Sequence, residues 1–143
     1  MKAMLYHASR FGYGVESPSE RLGGVGPERV NGSASLLVEE CYVALFHVEE
    51  GDGEAQIGRF CHDAQRFAKK LGATRLVVAA FGHLSSNYAP MEIAIATSGL
   101  IVNKCREEWT GKGGEFHTSP FGHNKTLTLE TKGHRDSIRF RSY

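Results

Sequence analysis

Six consecutive apolar residues, Leu76-Val77-Val78-Ala79-Ala80-Phe81, constrain the fold of this chain more than any other stretch. A run this short is no helix of its own, and a strand that is apolar at every position has to be covered on both faces. It is a central strand. The segment before it is the clearest helix in the sequence, because Ile57, Phe60, Cys61, Ala64, Phe67, Ala68 and Leu71 recur at intervals of three and four and make one face apolar. Asp52 or Glu54 near its start, Lys69 and Lys70 near its end and Gly72 just beyond agree with the helix dipole and with a glycine stop. After the run, Gly82-His83 and the polar turn Leu84-Ser85-Ser86-Asn87 lead to a second helix with Pro90 in its first turn. Met91, Ala94, Ile95, Ser98, Val102, Cys105 and Trp109 give its stripe, and Gly111 ends it. Ser85 and Ser86 suit the capping of that helix.

The remaining strands flank this core. Ala3 to His7 is a short apolar strand, and Leu36 to Val48 is a longer one. Between them, from Phe11 to Ser35, Gly12, Gly14, Pro18, Gly23, Gly24, Gly26, Pro27 and Gly32 break every periodicity, which predicts a long loop or an irregular hairpin. Glu115 to Thr118, Lys125 to Thr131 and Ile138 to Tyr143 read as three further strands, with turns at Pro120–Asn124 and Gly133-His134. The order strands, helix, strand, helix, strands, with no internal repeat and no linker, implies one α+β domain over 1–143, with a mixed sheet and two main helices on one side. The sequence ends while still strand-like, which leaves room for this to be the N-terminal part of a longer chain.

Charge and cysteine usage exclude several function classes. A net charge of +1 gives no global field for tight nucleic-acid or membrane binding. Basic residues crowd the last third, and acidic ones cluster from Glu39 to Glu54. Cys41, Cys61 and Cys105 are odd in number and widely spaced, which points to a reducing, cytoplasmic setting. No apolar run is long enough for a signal peptide or a membrane span. The seven histidines show no metal-ligand spacing, so neither a metal nor another cofactor is expected. A nucleophile elbow and a phosphate-binding glycine loop are both missing.

Two residues stand out as chemistry. Lys125 opens a strand on the same face as Leu127 and Leu129, so its ammonium points inward. A buried lysine either meets a carboxylate or lines a pocket whose ligand completes its contacts. His83 sits where the central strand ends and a helix-leading loop begins, the place where open α/β sheets put ligands. The turns Phe81-Gly82-His83 and Phe121-Gly122-His123 could together form a small cleft with free backbone amides.

These residues also carry a resemblance. Phe81-Gly82-His83-Leu84-Ser85-Ser86, then Pro120-Phe121-Gly122 with Lys125 three further on, Lys132-Gly133-His134, and an opening strand ending at His7 together resemble the archaeal threonyl-tRNA synthetase editing domain, from about Met1 to His134. The resemblance implies a D-aminoacyl-tRNA deacylase-like fold in β/β/α layers and a homodimer. It further implies hydrolysis of serine wrongly attached to threonine tRNA, with the 2′-hydroxyl of the terminal adenosine assisting. The partners it implies are the 3′ end of that tRNA, no membrane, and either the remaining synthetase domains or a separate catalytic synthetase. By the same resemblance Lys125 and His83 are the catalytic residues. Val48, Phe81, Gly82, Pro120, Phe121 and Gly122 shape the aminoacyl pocket, joined by His123 and Asn124. The chain departs from the pattern at His123-Asn124, where relatives carry aromatics, and at Ile138, where a gap-free reading expects an acid; Asp136 and Glu130 are the acids nearby. The competing readings are a D-aminoacyl-tRNA deacylase and a non-catalytic tRNA-binding or dimerisation module.

Overall fold

The structure, a computed structural model, describes residues 1–30 and 34–143. Along the chain run β1 (Lys2–Pro18), a single 3-10 turn (Glu20–Leu22), β2 (Ser35–His47), α1 (Glu54–Lys70), β3 (Arg75–Ala80), α2 (Met91–Thr110), β4 (Glu115–His117), β5 (His123–Thr131) and β6 (Ile138–Ser142). The order across the sheet is β4-β3-β2-β1-β5, with β6 also pairing β1. Both helices act as crossovers, α1 between parallel β2 and β3 and α2 between parallel β3 and β4. The other pairings are antiparallel, so the sheet is mixed.

β3 is the central strand that its sequence requires. Leu76 and Val78 pack towards the helices with Phe60, Phe67, Ile101 and Trp109, while Val77 and Ala79 face a second core with Phe11, Val38, Val43 and Leu45. The second core shows how the layers arise. It joins Leu36 to Leu45, two residues of β2 that would sit about 30 Å apart on a straight strand. The sheet therefore folds back on itself. The bend lies at Ser9 and Glu40, which drop out of the otherwise continuous β1–β2 register. Glu40 takes a left-handed φ of 49°, and the β1–β5 ladder slips between Ala8 and Arg10. The result is two β layers with a helical layer outside one of them.

The expected loop from Phe11 to Ser35 is corrected in its first part. β1 continues through Gly12 and Gly14 to Pro18, because the glycines serve close strand approach here. A Cβ on Gly12 would lie 2.9 Å from the Leu36 carbonyl oxygen, and one on Gly14 would lie 2.9 Å from Thr126 Oγ1. Phe11 and Tyr13 alternate with them and point into the second core. Gly32 lies outside the described residues. A second correction concerns α2, which begins at Met91 directly after Pro90, without a side-chain cap. Ser85 instead donates to Glu49 Oε1 at 2.5 Å and accepts from the Asn87 amide at 3.1 Å. Glu49 and Asp52 also hold the Met1 ammonium, at 2.8 and 2.5 Å.

The bend is fastened by a cluster outside the helical layer. Lys132 pairs with Glu40. The Asp136 amide donates to His134 Nδ1, so the His134 Nε2 hydrogen is the one that reaches His7 Nδ1, at 2.8 Å. Burial, then Lys132, then His134 hold the His7 imidazole below its usual range, with Glu40 opposing them. The unfolded chain then binds a proton more readily than the native one. His7 accordingly contributes stability that is present above the ordinary histidine value, about 6.5, and is lost as pH falls below it. Urea melts from pH 7.5 to 5 should show stability falling with pH, and His7→Asn should flatten that slope; an unchanged slope in the variant would refute the assignment.

Candidate active site between two glycine turns

The fold-back lays the start of β5 over the end of β3. Between them opens a cavity of about 750 Å³, walled on one side by Phe81, Gly82 and His83 and on the other by Phe121, Gly122 and Lys125. Val48, His123 and Asn124 line it as well. Pro120 stands behind this wall and accepts from Lys125 Nζ at 2.7 Å. Leu127, expected inward with Lys125, is 47% exposed and borders a smaller adjoining cavity. Only Leu129 of that pair packs into the second core.

Among the described residues Lys125 meets no carboxylate directly. Its ammonium donates to the carbonyls of Pro120 and His123, at 2.7 and 3.1 Å, which, among the described residues, leaves the third of its hydrogens for the cavity. Burial draws its pKa below the ordinary lysine value, and the Glu28 carboxylate pulls partly the other way. Charge without a fixed counter-ion is what a carbonyl oxygen developing negative charge would require.

Glu28 is the residue that the sequence did not offer. Its amide donates to the Phe121 carbonyl at 3.1 Å, its Oε2 accepts from the Phe121 amide at 2.8 Å, and its carbonyl accepts from His123 Nε2, also at 2.8 Å. The expectation of free amides is thus corrected at Phe121, whose N–H this carboxylate occupies. His123 is fixed by the same residue, and Asn124 pins β1 through Ser17 Oγ at 3.2 Å. Gly122 sits where only glycine fits easily, with φ of 81° and a would-be Cβ 2.9 Å from Leu22 and 3.1 Å from Pro27. No local pattern announces a contact between positions so far apart in sequence.

His83 is exposed, with its ring edge-on to Phe81 at 5.3 Å between centroids. His47 is buried, its Nε2 donating to the Asn87 carbonyl at 3.1 Å; in the sequence it is one of seven histidines without metal-ligand spacing, and nothing there marks it as the support of this loop. Asp136 and Glu130 do not reach the cavity. Asp136 pairs with Lys70 and Arg139, and Glu130 pairs with Arg10. Ile138 lies exposed on β6. His7, Lys132 and His134 belong to the bend.

A family model described as the archaea-specific editing domain of threonyl-tRNA synthetase matches residues 1–142. The chain belongs to that family. This editing-domain sequence is 30% identical over 136 residues to a threonine–tRNA ligase of Thermofilum pendens, a match that covers 94% of the chain and 21% of the ligase. It is 28% identical over 134 residues to a threonine–tRNA ligase editing subunit of Aeropyrum pernix, covering 94% of the chain and 30% of the subunit. The chain thus spans less than a third of the length of either curated relative. Among solved structures it superposes on the c-Myc DNA unwinding element binding protein with a TM-score of 0.71 at 11% identity, across 100% of this chain and 99% of that one. That likeness is one of fold. The α+β architecture in β/β/α layers is the D-aminoacyl-tRNA deacylase-like one that the resemblance implies.

Two measurements test the geometry of the editing-domain cavity. Gly122→Ala should cost about 1–3 kcal/mol, from left-handed strain and the Leu22–Pro27 contact; a urea midpoint equal to wild type would contradict it. By NMR of its Cε, Lys125 should titrate below the ordinary lysine value, and Glu28→Gln should lower the midpoint further by removing the opposing charge. A midpoint that stays put in Glu28→Gln would show that the carboxylate does not act on Lys125.

Proposed function

We propose that this chain is a single proofreading domain that hydrolyses L-seryl esters on threonine tRNA, with Lys125 and His83 at the reacting centre. The observation that carries the reading is a half-buried lysine held by two carbonyls, facing a second glycine turn across a cavity. Ester hydrolysis needs water delivered to the acyl carbon, donors for the oxyanion, and a proton for the departing 3′-oxygen. The third Lys125 hydrogen serves as an oxyanion donor or holds the serine hydroxyl, and His83 orients the ester from the opposite wall. Glu20 is the one carboxylate among the described lining residues, and it lies exposed. The proton from water then passes through the neighbouring 2′-hydroxyl of the substrate, and the acyl C–O bond breaks to release serine.

The need for such a step follows from binding limits. A synthetic site that fits threonine gains only about 1–3 kcal/mol against serine, roughly 10- to 200-fold. A second site with a lysine and backbone groups at its wall selects the smaller, hydroxyl-bearing side chain. The same reading makes the chain a homodimer, and makes it either the N-terminal part of a synthetase or a partner acting beside a separate one.

The deciding assay incubates the protein with L-seryl-, L-threonyl- and D-aminoacyl-tRNA. Selective loss of the L-seryl ester, reduced at least 100-fold in Lys125→Met, is the expected result. Cleavage of the D-esters would make it a D-aminoacyl-tRNA deacylase, and tRNA binding without hydrolysis would end the enzyme reading. Substrate ending in 2′-deoxyadenosine should resist cleavage; full turnover on it would remove the 2′-hydroxyl from the mechanism.

A further inference from the structure

Tyr88 lies at the mouth of the cavity with half of its surface in solvent, although the segment that carries it is tightly held. The preceding carbonyl, that of Asn87, accepts from buried His47, the Asn87 amide donates to Ser85 Oγ, and Ser85 in turn bonds Glu49. The Tyr88 ring itself rests against the His47 ring, with centroids 5.1 Å apart. An aromatic held on one side by His47 and half in solvent is a platform. Facing it is Arg21, whose guanidinium carbon lies 5.9 Å from the ring centroid. The 3-10 turn that carries Arg21 is capped by Ser19. Among the described residues Arg21 has no carboxylate partner, so its planar charge is uncommitted.

We propose that Tyr88 and Arg21 form the stacking site for the nucleobase of the terminal nucleoside, an inference that rests on the editing reading and assigns the part of that substrate furthest from the ester. A nucleobase presents a flat π face, which packs on tyrosine and on guanidinium alike. Exposed Arg21 swings outward to admit the base and then covers it. Lysine has no such plane, so charge alone does not reproduce the contact.

Adenosine, uncharged and without an ester, is the probe. Calorimetric or NMR titration of the whole chain should show adenosine binding more tightly than ribose. Tyr88→Ala should weaken adenosine about tenfold or more. Tyr88→Phe should keep the affinity, and both Arg21→Ala and Arg21→Lys should lose part of it. With L-seryl-tRNA the Tyr88→Ala loss should fall on KM rather than kcat. Equal affinity of wild type and Tyr88→Ala for adenosine, equal binding of ribose and adenosine, or full rescue by Arg21→Lys would overturn the platform. The two readings fail separately: adenosine binding that depends on Tyr88, with L-seryl-tRNA left intact, would refute editing and support the platform. Hydrolysis with adenosine affinity and KM unmoved in Tyr88→Ala would do the reverse.

Discussion

The bend at Ser9 and Glu40 turns one sheet into two facing β layers. Without it β5 would extend the sheet sideways, and Lys125 would lie far from the end of β3. A left-handed backbone at a residue with a side chain costs roughly 1–3 kcal/mol. Against that, the fold-back buries Phe11 and Val38 over Val77 and Ala79, and each large apolar side chain so covered contributes about 1.5–3 kcal/mol. Burial wins. The Lys132–Glu40 pair is largely exposed, so it adds little energy, and its effect is to fix where the strand turns.

The cavity is polar in a particular way. Its lysine is balanced by carbonyl dipoles, which lower the penalty of burial without cancelling the charge. A carboxylate in their place would have formed a closed ion pair with little left for a ligand. The Glu28 carboxylate is instead engaged by the Phe121 amide, and so acts on the ammonium from a distance.

The parts of this arrangement legible in the sequence were those that repeat locally. The unbroken apolar run required β3, the three-and-four spacing required α1 and α2, and alternation placed Lys125 inward. Gly12 and Gly14 do not read as strand because glycine reports a need for space or for an unusual backbone without saying which, and the strand signal there lies in the alternation of Phe11 and Tyr13. Glu28 and His47 were illegible for another reason: each acts through a tertiary contact, to Phe121 and Asn87, that no local period encodes. The glycine turns were readable as turns, but the fold-back that sets one against the other rests on the left-handed φ at Glu40 and the register break beside it.

The Glu28 clamp has a kinetic consequence. It joins positions 28 and 121, so it closes only after β1 has paired with β5 and the sheet has bent, a long loop to shut and a late event in folding. Contacts made late and near the surface are also the first to open in the native state. The wall that carries Lys125 therefore opens more readily than the central strand, and its amides exchange with solvent sooner than those of β3 across the cavity.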